Sequence, residues 1–192
     1  MTHFTVFGTG NMANAIGGVL AAGGSSVQFV SHDEASTAPI EGDIVILAVP
    51  YPALAEIAAA HGAQLAGKTV VDITNPLDFS TFDRLLVPAG SSAAAELQAK
   101  LPGSRVLKAF NTNFAATLAS GKIGDAATTV LIAGDDSSAK AALQAAVEAG
   151  GVGAIDAGPL ARAHELEALG FLQLTLAAGE KINWTGGFAV VR

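Results

Sequence analysis

The chemistry of this chain starts from Gly8, Gly10 and Ala13, spaced as Gly-x-Gly-x-x-Ala within residues 5–17, TVFGTGNMANAIG. An apolar run over residues 4–7 stops at Gly8. From Met12 onward the apolar residues Met12, Ile16, Val19 and Leu20 fall on one face of a helix. Strand, tight turn and helix form the context in which this spacing holds a dinucleotide. The first glycine allows the turn, the second lets the backbone approach a pyrophosphate, and the alanine keeps helix and strand in contact. The free N–H groups and positive end of the helix then face the phosphates. The other reading of the same residues is a strand–helix turn that binds nothing.

Further chemistry sits where other apolar runs end, because ligands of α/β sheets lie beyond the carboxyl ends of the strands. Residues 26–31, SVQFVS, end in Ser31-His32, the position that chooses the nucleotide. An acidic side chain here bonds the ribose 2′-hydroxyl of NAD and repels the 2′-phosphate of NADP. Ser31 is a neutral donor and His32 a potential cation, which favours NADP over NAD. Asp33 and Glu34 follow and weigh the other way, and a solvated turn is the third reading. Ala48, Val49, Pro50 and Tyr51 follow the next buried run. Thr74-Asn75-Pro76 after Asp72 carry a hydroxyl and an amide suited to a nicotinamide carboxamide or a flavin-like ring; a proline-stiffened turn explains them equally well. Lys108, Phe110, Asn111 and Thr112 end the run RVLKA. Lys108 either meets an anionic substrate or the cofactor, or snorkels to the surface.

No general acid or base stands out. The four histidines lack metal spacing, no G-x-S-x-G elbow is present, and Asp135-Asp136 reads as a helix cap. Hydride transfer between two rings needs no such group, since the cofactors carry that chemistry and the protein orients them.

The elements that must position these residues alternate along the chain. After the first helix, capped at Gly23-Gly24, strands are expected at 26–31, 43–48, 69–72, 105–109, 128–133, 152–156 and 187–191. Helices are expected at 53–60, 91–100, 114–119 and 137–149, with a last long helix marked by Leu166, Leu169, Leu172 and Leu176. Residues 73–90 lack periodicity and read as a long loop. Only eleven residues, 32–42, separate the second and third runs, too few for a helix and a strand. The fold class is therefore α/β: a doubly wound, mostly parallel Rossmann sheet, trimmed of its third strand and the associated helix. One domain over residues 1–192 with a C-terminal helical extension is expected.

Composition bounds the rest. The chain is 51% hydrophobic and 14% charged with a formal net charge of −7, which supports a large core and disfavours nucleic-acid or anionic-membrane partners. There is no cysteine for disulfides or thiolate chemistry. No signal peptide is evident. The most apolar segment, residues 44–60, is broken by Pro50, Pro52 and Glu56 and is too short for a bilayer, so a soluble cytoplasmic protein is expected.

GTGNMA, LAVPYPAL, VVDITNPL, RVLKAFNT, VLIAGDD and DAGPLARAHELEALGFLQ occur in this order along essentially the whole chain. In this ordered set the sequence resembles the deazaflavin-dependent NADP reductases of the coenzyme F420 type. Their wider group includes the oxidoreductase domain of the six-transmembrane metalloreductases. The resemblance implies an NADP(H) site with its phosphate loop at Gly8, Thr9, Gly10, Asn11 and Met12 and its 2′-phosphate site at Ser31 and His32. It puts Ala48, Val49, Pro50 and Tyr51 beside the nicotinamide and Thr74, Asn75 and Pro76 near a second ring, a flavin or deazaflavin acting as hydride partner. It also implies a homodimer built on C-terminal helices. Two departures stand out: the family has Ser-Arg where this chain has Ser31-His32-Asp33-Glu34, and it keeps the helix and strand missing before Gly42. The competing functions are a non-catalytic module that binds NADP(H) and, last, a hydroxy-acid dehydrogenase, which would need a visible base and a larger substrate domain.

Overall fold

Each apolar run is short and unbroken, as expected of strands covered on both faces. A computed structural model describes residues 2–191. In chain order its elements are β1 (His3–Phe7), α1 (Asn11–Ala22), β2 (Ser26–Val30), β3 (Ile44–Leu47), α2 (Ala53–Leu65), β4 (Thr69–Asp72), α3 (Ala93–Lys100), β5 (Arg105–Lys108), α4 (Ala115–Ser120), β6 (Lys122–Ile123), β7 (Ala126–Ala127), β8 (Thr129–Gly134), α5 (Ser137–Ala149), β9 (Gly153–Gly158) and α6 (Ala163–Ala178). Seven strands form one sheet in the order β2-β1-β3-β4-β5-β8-β9. Helices α1, α4 and α5 pack on one face through Ile16, Leu118 and Leu143. Helices α2 and α3 pack on the other through Ile57 and Leu97.

The sheet begins at β2, so the third strand of the usual Rossmann order is missing as expected. Residues 32–37 instead form tight turns, with the Thr37 and Ala38 N–H groups donating to Glu34 O at 3.0 and 2.9 Å. Ala35 and Ala38 pack against the α2-side core. The buried His61 reaches Ala35 O, and Ile40 N–H donates to Gln64 Oε1 at 3.2 Å, which ties the shortened connection to α2.

Three features refine or change the expectations. First, within the mostly parallel sheet β8 runs antiparallel to β5, with Leu107 opposite Gly134, whereas β8 and β9 are parallel. The chain leaves β5 through the six-residue α4 and the β6–β7 hairpin, which turn it to enter the sheet from the other end. A parallel return needs a crossover, usually a full helix. Second, residues 187–191 form no strand. Phe188 N–H donates to Gln173 Oε1 at 3.0 Å, so this segment lies along α6, where no sheet edge offers a partner. Third, of the four leucines whose spacing marks α6, only Leu166 is buried. The helix turns Glu167, Gly170 and Gln173 inward and leaves Leu172 half exposed. No helix among the described residues is long and apolar enough to cross a membrane.

Candidate dinucleotide cleft

The candidate phosphate loop is built by backbone constraints. Gly8 has φ +112°, and a Cβ there would stand 2.3 Å from Ala48 O; its N–H donates to Val30 O at 2.8 Å. Only glycine permits the turn. Gly10 caps α1 with extended backbone, and a Cβ on it would meet no protein atom within 4 Å. The first α1 hydrogen bond runs from Asn14 N–H to Gly10 O at 3.0 Å, leaving the preceding N–H groups without a helical acceptor. Asn14 Nδ2 braces the loop by donating to Thr9 O at 2.9 Å. An open space over Gly10 at a helix N-terminus fits the pyrophosphate of a nicotinamide dinucleotide.

Two cavities meet at this loop. One, of about 450 Å³, is lined by Gly8, Thr9, Gly10, Ser31, His32 and the Ala48–Pro50 wall. The other, of about 590 Å³, shares Gly10 and that wall. It adds Asn11, Met12, Tyr51, Thr74, Asn75, Phe110 and Asn111. The carboxyl ends of β1 to β5 thus bring most of the expected residues to one cleft. Sequence reasoning missed Phe79, Asn113, Phe114, Leu174 and Trp184, which also line the larger cavity. Trp184, the only tryptophan, packs against Phe114 with ring centroids 4.9 Å apart and ring planes tilted by 55°. No local spacing signals these positions; the single tryptophan in a polar tail is the one hint. Among the described residues no charged side chain lines the larger cavity.

Pro76, Lys108 and Thr112 line neither cavity. The expected substrate contact of Lys108 is corrected by its surroundings. Its side chain is fully buried and its Nζ donates to Asp72 Oδ2 at 2.8 Å and to Thr74 O at 2.5 Å, and pairs with Glu167 Oε1 at 2.8 Å. It does not snorkel to the surface, and it sits behind the cleft and not in its lining. Asp72 Oδ1 in turn accepts from Thr74 N–H at 2.8 Å. Lys108 therefore positions the Thr74-Asn75 corner from behind. Glu167 also accepts from Ala93 N–H at 2.9 Å, at the start of α3. Burial pushes its carboxyl above the usual range, against the pull of Lys108 and the Ala93 N–H. The Asn75 and Asn111 amides lock the front of the corner: Asn111 Nδ2 donates to Asn75 Oδ1, and Asn75 Nδ2 to Asn111 O, both at 2.9 Å. Beside them Phe110, fully buried, takes φ 64°, a left-handed conformation that a bulky residue keeps only where its surroundings impose it. Thr112 faces the core side, its carbonyl accepting from Gln173 Nε2 at 3.1 Å.

Two more side chains have defined electrostatics. Tyr51 Oη donates to Glu96 Oε2 at 2.6 Å. Burial, that hydrogen bond and the negative field of Glu96, Glu167 and Asp72 push the phenol up to about 12. At the other end of the cleft, Ser31 offers both its hydroxyl (2.6 Å) and its N–H (3.1 Å) to Glu34 Oε2. These two bonds hold the Glu34 carboxyl below its usual range.

Comparison with known proteins agrees with this geometry. Residues 30–76 match the family model described as NADP oxidoreductase, coenzyme F420-dependent. The chain is 33% identical over 150 residues to the F420-dependent NADP reductase of Methanocaldococcus jannaschii, covering 76% of this chain and 67% of that protein. It is 32% identical over 145 residues to the metalloreductase STEAP3 of Rattus norvegicus, again over 76% of this chain but only 28% of that protein. In fold it is similar, with a TM-score of 0.84 at 24% identity over the whole of both chains, to a crystal structure from Arthrobacter sp. FB24 assigned as an F420-dependent NADP reductase.

Proposed function

The chain belongs to the coenzyme F420-dependent NADP oxidoreductase family, and from that premise we propose that it passes a hydride between NADP(H) and a flavin, deazaflavin or similar planar acceptor. The observation that carries this reading is the junction of the two cavities at Gly10 and the Ala48–Pro50 wall. The smaller cavity and phosphate loop suit the adenosine and pyrophosphate end of the dinucleotide, and the larger one has room for two rings.

When bound, the nicotinamide supplies the hydride chemistry. This chain's residues orient and enclose. Ala48, Val49 and Pro50 form the wall, held against β1 by the bond from Ala48 N–H to Phe7 O at 2.9 Å. Thr74 and Asn75 present their polar groups from a corner fixed by Lys108 and Asn111. Phe79, Phe114 and Trp184 supply aromatic faces for an acceptor ring, and the uncharged lining favours a ring over an anion. No protein acid or base need move, and among the described residues none lines the larger cavity other than Tyr51, whose raised pKa keeps it protonated.

The same proposal has the protein acting as a homodimer. Helix α6 shows Leu172 at 50% exposure beside the half-buried Leu169 and Leu176, an apolar stripe that a second copy would cover.

The test is to mix the purified protein with NADPH and, in turn, FMN, FAD, a deazaflavin and ferric chelates, and to follow loss of the reduced nicotinamide absorbance. Turnover with a ring acceptor supports the reading. Nucleotide binding without turnover on any acceptor would replace it with a non-catalytic NADP(H)-binding module.

A further inference from the structure

We propose that Glu34 sets the choice of nicotinamide nucleotide by keeping a carboxylate on the donors that a ribose 2′-phosphate would need. The proposal rests on the nucleotide reading above.

The end of β2 is where doubly wound folds contact the ribose 2′ substituent. Ser31 and His32 occupy it and line the smaller cavity with Gly8, Thr9 and Gly10. Ser31 carries two donors that could receive a phosphate, its N–H and its hydroxyl. Both are already spent on one oxygen, Glu34 Oε2, at 3.1 and 2.6 Å. Hydrogen bonds to an ionised acceptor are the strong kind, so a phosphate must displace a resident anion to gain them.

The turn itself holds Glu34 in place. Ala35 N–H donates to His32 O at 3.2 Å, and Glu34 O accepts from both Thr37 and Ala38. Among the described residues no lysine or arginine lines this cavity to offset the displacement; the chargeable side chains there are His32 and Glu56. A 2′-phosphate would bring a second negative group beside Glu34. A 2′-hydroxyl can instead donate to the carboxylate where it stands. Glu34 thus penalises NADP(H) and tolerates NAD(H), narrowing a preference that a basic residue at this turn would widen.

Substitution Glu34→Gln separates charge from shape, because the amide oxygen can still accept from Ser31 and keep the turn. Dissociation constants for NADPH and NADH, measured by fluorescence titration of the wild type and the variant, give the readout without requiring turnover. The expected result is NADPH binding tightened on the order of tenfold in E34Q, with NADH binding unchanged or weaker. The shift should shrink at high salt, as an exposed charge effect must. An unchanged NADPH-to-NADH affinity ratio, or both constants moving together, would overturn the proposal while leaving the reductase reading intact. Failure of both nucleotides to bind the wild type and E34Q would overturn the proposal and the nucleotide reading together. Absence of turnover with any acceptor bears on the reductase reading alone.

Discussion

Lys108 of β5 and Glu167 of α6 meet at 2.8 Å with both side chains withdrawn from solvent. The ammonium also binds Asp72 Oδ2 at 2.8 Å, so one cation stands between two buried carboxylates. The cluster joins the central strands β4 and β5 to α6 and, through the Ala93 N–H, to the start of α3. Buried ion pairs add little net stability, yet breaking one is costly because the remaining charge has lost its partner.

Lys108→Met should therefore destabilise the protein by about 3–5 kcal/mol in urea unfolding. Glu167→Gln should cost less, since burial already raises its carboxyl and so weakens the preference for the charged form. Near-equal costs for the two variants would show that Glu167 is held fully as a charge.

The two loop glycines should fail differently. Gly8→Ala places a Cβ against the Ala48 carbonyl at a disfavoured φ and should cost more than about 2 kcal/mol. Gly10→Ala meets no protein atom and should leave the unfolding temperature nearly unchanged. Its nucleotide affinity should nonetheless fall on the order of tenfold, because the new methyl occupies the approach to the backbone. Thermal unfolding and nucleotide titration of both variants check the contrast.

Tyr51 is the only tyrosine, so its ionisation can be followed by tyrosinate absorbance alone. The midpoint in the folded protein should lie near 12 rather than the ordinary 10.0. Because the folded value is raised, the associated stability is complete below the ordinary value and is lost as pH rises toward the folded one. Glu96→Gln should lower the midpoint only partway, since burial is the larger cause. A wild-type midpoint at the ordinary value would remove the Glu96 contact from the site.

Trp184 is likewise unique and lines the larger cavity, so its emission should be quenched when a flavin or deazaflavin binds. Trp184→Ala should raise KM for the acceptor about tenfold, the worth of one lost aromatic stacking partner, with little change in NADPH affinity. An equal loss for both ligands would mean that the tryptophan supports the whole cleft instead.

The apolar stripe of α6 predicts a dimer that Leu172→Glu dissociates, as judged by sedimentation over a range of concentrations. A wild type that sediments as a monomer at every concentration would leave the half-exposed leucine without that role.

Local periodicity was enough for the first layer of this protein. The strand–glycine–helix unit at Gly8 to Ala13, the buried runs of β3 to β5 and the shortened stretch at residues 32–42 all depend on neighbours in sequence. Their backbone outcome follows from spacing, turn residues and the length available. The antiparallel entry of β8 was hidden because it depends on how α4 and a hairpin of two-residue strands turn the chain. The inward face of α6 was misread because Glu167 and Gln173 are bought inside by Lys108 and the Thr112 carbonyl, partners that no periodicity can show. Lys108 likewise looked like a ligand contact until Asp72 and Glu167 closed around it. The candidate dinucleotide loop was written in adjacent residues. What surrounds its reactive end, the Asn75–Asn111 lock, the aromatic faces of Phe114 and Trp184, and the carboxylate that Glu34 lays on Ser31, was decided only when the folded chain brought those side chains together.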